Sequence, residues 1–160
     1  PMSSERIDRS GGIVPGRCHM DYCWWMMVDN LKAIRSERGS RLIKAEIRTT
    51  DANYSEARSG KDSYPELPPA NSKWDGPAEV YVFCSNNLPT YIQYDQQKKK
   101  YVGTIPFDQD GVPSGATEGI ANLYSAICNN GKEPKFEINP DLLDTELVFR
   151  SPADIFSLLN

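Results

Sequence analysis

Four cysteines, Cys18, Cys23, Cys84 and Cys128, are the residues of this chain whose type and spacing speak most directly of chemistry. Structural zinc sites are built from two close ligand pairs. Here only Cys18-x4-Cys23 is close, and His19, the sole histidine, stands beside Cys18. The spacing favours two disulfides over a thiolate–imidazole zinc site or four reduced, buried thiols, and disulfides belong to an oxidising compartment. Of the three possible pairings, Cys18–Cys23 with Cys84–Cys128 is preferred, because Cys84 and Cys128 fall at the ends of two well-marked elements. The longer bridge would contribute about 4 kcal/mol through loop entropy, the shorter one less.

No other chemistry reaches a comparable specificity. Ser–His–Asp catalysis needs a histidine base, yet His19 lies in the tied-down segment next to Cys18 and no Gly-x-Ser-x-Gly elbow accompanies it. Phe107-Asp108-Gln109-Asp110-Gly111 opens like a calcium loop, but Val112 and Pro113 occupy the positions where that motif requires a ligand and a glycine. An acidic turn explains it better. The 22 acids offer many pairs, and none is singled out for glycosidase work. No cofactor or metal is expected. Among the aromatic residues, those on strands are expected to pack in the core or across strands. Tyr54, Tyr64 and Trp74, with Asp75, fall instead in a polar loop, where they either clamp the loop to the sheet or form a partner-binding surface.

The elements that must position these residues can be traced along the chain. With 160 residues and 39% hydrophobic content, there is enough chain for one sizeable core. A net charge of −4 and a pI near 5.1 argue against nucleic acid as the main partner. No apolar run approaches the ~20 residues of a membrane helix, and no signal-peptide pattern is visible, as in a mature exported chain. Residues 1–17 read as a flexible leader or cloning remnant, and 18–160 as one disulfide-stapled domain. Cys23 to Thr50 reads as a long hairpin: Cys23–Val28 is rich in strand formers, Ile43, Ala45 and Ile47 alternate with charges, and Ser36–Ser40 supplies the turn with Gly39 at positive φ. A helix over Asp29–Arg38 is the competing reading.

From Thr50 to Ala78 Asp, Ser, Asn, Pro and Gly dominate, which predicts a long functional loop. Val80, Val82 and Cys84 then alternate on one strand face, and Tyr91–Tyr94 and Tyr101–Ile105 form a second hairpin tipped by Lys98-Lys99-Lys100. Ile120, Leu123, Tyr124 and Ile127 recur at helical spacing, with Ser114 or Thr117 as the cap, a start delayed by Gly115 and Gly119, and a stop at Asn129-Asn130-Gly131. Glu146–Phe149 reads as a strand and Ser151-Pro152 as the cap of a short terminal helix. The predicted class is α+β, mainly antiparallel sheet in hairpins and a meander, with one or two short helices.

The run C-x4-C-W-W, a long hairpin, a Pro-rich loop with a Trp, V-Y-V-F-C-S-N-N-L-P-T and finally L-Y-S-A-I-C resembles a pattern among small disulfide-containing exported bacterial proteins of uncharacterised function. It spans Cys18 to Cys128 and carries no active-site residues. In size, acidity and disulfide use the chain is also similar to periplasmic immunity proteins that neutralise interbacterial toxins. Together these readings imply a periplasmic or secreted, non-enzymatic binding protein, an inhibitor or immunity protein whose partner is a toxin or an enzyme. The alternatives are a small secreted hydrolase using carboxylates and an accessory component of an envelope or secretion assembly.

Overall fold

A computed structural model describes residues 4–5, 12–54, 64–113, 115–129, 135–143 and 145–159. They form an eight-stranded antiparallel sheet with a few short helices, an α+β arrangement. The strands are β1 (Ser4–Glu5), β2 (Ile13–His19), β3 (Tyr22–Glu37), β4 (Ser40–Asn53), β5 (Asp75–Cys84), β6 (Thr90–Asp95), β7 (Lys100–Thr104) and β8 (Leu147–Phe149). Both β1 and β2 pair with β3, and the sheet then runs β3-β4-β5-β6-β7-β8. The two α-helices are α1 (Glu118–Cys128) and α2 (Pro140–Leu143).

The long hairpin turns where Arg38 and Gly39 take φ of 49° and 78°, the twist that lets two strands return without splaying. Strand β3 runs unbroken through Asp29–Glu37, so the competing helix does not form; two register shifts against β4 re-aim its side chains instead. The expected leader boundary at residue 18 moves outward. Ile13–Arg17 are strand, and Val14 is fully buried in the core. Residues 1–3 and 6–11 lie outside the described residues. The expected loop from Thr50 to Ala78 also contracts, because β4 continues to Asn53 and β5 already starts at Asp75. The β-branched Thr49-Thr50 extend the strand, and Thr50 is buried. Of the remaining connection, residues 55–63 lie outside the described residues.

Two cores cover the two faces of the sheet. On one face Ile43, Ala45, Ile47, Val80, Val82 and Cys84 meet Ala121, Leu123, Tyr124 and Ile127 of α1. On the other, Leu42, Phe83, Ile92 and Phe149 meet Ile155 and Phe156 of the closing helical turn Pro152–Leu158, which is 3-10 rather than α. Asp154 caps that turn by accepting from the Ser151 amide at 3.1 Å. Helix α1 starts late, at Glu118, and stops at Cys128 with Asn129 at its cap. The Thr117 hydroxyl donates to the Pro106 carbonyl at 3.0 Å rather than to its own helix. Ser114, Asn130 and Gly131 lie outside the described residues.

Two ties fix α1 to the end of β5. Cys84 and Cys128 are bridged, and the Tyr124 hydroxyl donates to the Ser85 carbonyl and accepts from the Ser85 amide, at 3.1 and 3.0 Å. Burial pushes the Tyr124 phenol up to about 12. At the other end of α1, the Trp24 indole is wedged between two glycines. A Cβ on Gly16 would fall 2.3 Å from Trp24 Cδ2, and one on Gly119 would fall 2.4 Å from Cζ2. Strand β2 shifts register between Pro15 and Cys18, and Asn122 of α1 donates to the carbonyls of Pro15 and Gly16 there, at 3.0 and 3.3 Å. Carbonyls displaced from the ladder thus find a donor on the helix.

Candidate partner-binding surface

The chain reverses from β2 into β3 through Met20 and Asp21, both with positive φ (52° and 68°). Cys18 and Cys23 face each other across this turn and are bridged. The pairing of all four cysteines is thus the one expected from their spacing, with Cys84 bonded to Cys128. A disulfide one position behind a two-residue turn clamps the reversal, and aspartate is among the residues that tolerate the left-handed region.

Asp21 is the hub of this end of the molecule. Its carbonyl accepts from the Tyr54 amide at 2.7 Å. Its amide donates to the Tyr64 hydroxyl, and that hydroxyl donates to Asp21 Oδ1, each at 3.0 Å. The rings of Tyr54 and Tyr64 then lie 6.4 Å apart, tilted at 49°. Two residues on, the Glu66 carbonyl accepts from Trp25 Nε1 at 3.0 Å. Further back, the Lys73 carbonyl accepts from Thr50 Oγ1 at 2.8 Å. Thr50 is the register partner of Trp25, so residues 64–73 lie across the sheet face that Trp25 presents. Trp25 is only 1% exposed as a result.

Of the two roles left open for the loop aromatics, Tyr64 performs the clamp. The structure brings Tyr54 and Tyr64 together at the tip. Trp74, half-buried, and exposed Asp75 lie further along the hairpin, where Asp75 is the register partner of Thr49. Other large apolar and aromatic side chains are exposed here: Met20 is 82% exposed and Tyr22 44% at the turn, and Leu67 49% on the segment that covers Trp25. Met20 and Tyr22 sit inside the Cys18–Cys23 segment, and that short spacing was the signal that could have marked them as a displayed turn.

Several polar side chains of the molecule have structural partners. Tyr22 donates to Asp51 Oδ2 at 2.8 Å, and this hydrogen bond, ahead of burial, raises the Tyr22 pKa. Arg48 Nε donates to Asp29 Oδ2 at 2.6 Å. His19 is exposed and lies 3.3 Å, by its Nδ1, from the Arg17 guanidinium. The calcium-like loop is an acidic turn: Asp108 Oδ1 accepts from the amides of Asp110 and Val112 at 2.8 and 3.0 Å. Among the described residues no helix is long and apolar enough to cross a membrane.

What the fold and this surface define is a class: a disulfide-bearing α+β sheet protein suited to an oxidising compartment. No family model, curated protein or solved structure matches the chain.

Proposed function

We propose that this protein is an exported, non-enzymatic binding protein, periplasmic or secreted. It acts as an inhibitor or immunity protein that blocks a toxin or an enzyme sterically from the tip of the long hairpin. One observation carries the reading: Met20 and Tyr22 are displayed to solvent from backbone that a disulfide and the Asp21–Tyr64 bonds hold in place, and Leu67 from a segment held by the Trp25–Glu66 bond. Exposed Met and aromatic side chains suit the centre of an interface, and a backbone already rigid loses little entropy on binding. Tyr54 and Tyr64 flank this centre, and Trp74 and Asp75 extend it along the hairpin. Asp21 and Asp51 add negative charge at this centre, in keeping with the net −4, and steer the encounter towards a basic partner. The rival hydrolase finds less support, since Asp21 and Asp51 are each held by a tyrosine hydroxyl.

The test is capture from periplasmic and secreted extracts by the purified protein, with Met20→Glu/Leu67→Glu against Val112→Ser, an exposed position elsewhere. One dominant partner, held through an interface of roughly 1,600 Å², should be lost with the double variant and kept with Val112→Ser, at unchanged melting temperature. Equal capture by both variants would move the binding surface off the tip. Turnover of peptidoglycan, glycan or peptide that vanishes on changing one Asp or Glu would replace the binding role with a hydrolase.

A further inference from the structure

At the other end of β3 from the Met20–Asp21 tip, four stretches of chain converge on a cavity of about 320 Å³. They are the Arg38–Gly39 turn, the segment Ser85–Leu88 after the Cys84 bridge, residues 137–142, and Leu158–Leu159. The volume lies at the small end of the range for ligand cavities, about 300–1,000 Å³, and so suits a single small molecule rather than a polymer.

The lining is chemically specific. Arg38 is held at the rim because its Nη1 donates to the Leu159 carbonyl at 2.9 Å, and among the described residues its other N–H groups have no hydrogen-bond partner. Glu137 is placed by its amide, which donates to the Asn86 carbonyl at 2.9 Å. Neither charged side chain has an ion pair among the described residues. The Asn86 carboxamide adds neutral donors and an acceptor, and Leu88, Leu142 and Leu158 supply an apolar wall. Among the described residues that line it, one cation and one carboxylate on a single small cavity disfavour most ligand classes. A phosphate would meet the Glu137 carboxylate, and a polyamine would meet Arg38. A molecule carrying both charges, with an aliphatic group beyond them, satisfies every wall.

We propose that this cavity binds a free α-amino acid with an aliphatic side chain. Its carboxylate lies on Arg38, its ammonium on Glu137, and its side chain against Leu88, Leu142 and Leu158. The site is separate from the hairpin tip, and either assignment can fail without the other.

The probe is leucine, titrated into the full protein and followed by amide NMR shifts, alongside 4-methylpentanoate, which lacks the amine, and isopentylamine, which lacks the carboxylate. Leucine should shift the amides of Gly39, Asn86 and Leu88 saturably, and each truncated analogue should bind at least about tenfold more weakly, roughly 1.4 kcal/mol. Arg38→Ala should abolish the advantage of leucine over isopentylamine, and Glu137→Gln its advantage over 4-methylpentanoate, with melting temperature checked for both. Absence of saturable shifts with leucine, isoleucine, valine and methionine at about 10 mM would overturn the assignment. So would equal binding of leucine and both analogues, since the cavity would then read only the aliphatic group.

Discussion

The Tyr81 hydroxyl donates to Glu79 Oε1 at 2.8 Å, and Lys44 Nζ lies 3.0 Å from Glu79 Oε2 on the solvent-facing part of the sheet. The tyrosine bond, then the lysine, holds the Glu79 carboxyl below its ordinary value of 4.5. The same contact, after burial, pushes the Tyr81 phenol above its ordinary range. A carboxyl depressed in the folded state contributes stability above its unfolded pKa and loses it as pH falls through the folded value. Tyr81→Phe should therefore raise the Glu79 midpoint towards 4.5 in an NMR carboxyl titration. It should also make the acid limb of the stability curve less steep. An unmoved midpoint would show that Lys44 alone sets the charge. Glu79 itself is exposed, so the effect on neutral-pH stability should be small.

At the scale of elements, the junction of α1 with β2 turns on space rather than propensity. Alanine is preferred to glycine inside a helix by about 1 kcal/mol, so propensity alone predicts that Gly119→Ala stabilises. The Trp24 ring stands where that methyl would go, and the Gly16 Cα lies 3.1 Å from the same point. Overpacking of this kind costs about 1–3 kcal/mol. The expected result is a lower melting temperature and altered Trp24 fluorescence, and a rise in melting temperature would refute the packing argument. The glycine that weakens the first turn of α1 on paper is the one that lets the helix approach the sheet.

At the scale of the whole molecule, the two bridges act on different lengths of chain. Cys84–Cys128 spans a sequence separation of 44, and Cys18–Cys23 a separation of 5. Loop entropy assigns them about 4 and about 2 kcal/mol respectively. Removing the first pair with Cys84→Ala/Cys128→Ala should lower the melting temperature more than removing the second. The longer bridge also ties α1 to β5, while the shorter one closes a turn that the sheet already holds. Intact mass should rise by four hydrogen atoms on reduction, about 4 Da, and peptide maps should join Cys18 to Cys23 and Cys84 to Cys128. Four thiols alkylated in the native protein would contradict both bridges and the oxidising compartment they imply.

Much of this architecture was legible in the residues themselves, and for a common reason. The alternation of Val80, Val82 and Cys84, the helical spacing of Ile120 to Ile127, the Gly39 turn and the acidic turn at Asp108 all express rules that act over a few neighbouring residues. A local period survives translation into structure, and so the antiparallel class, the hairpins and the late start of α1 could be read without coordinates. The leader boundary and the length of the loop could not. Ile13-Val14 is too short a run, cut off by Pro15-Gly16, and Asp75–Ala78 has little strand character of its own; both become strands because β3 and β4 offer them a ladder. The same holds for the surfaces. Tyr64 lies 43 residues from Asp21 in the chain, and Arg38 and Glu137 meet one cavity from opposite parts of it. Such meetings depend on strand register and on where α1 docks against Trp24. Register is decided by every pair along the sheet at once, so no local stretch of sequence carries it.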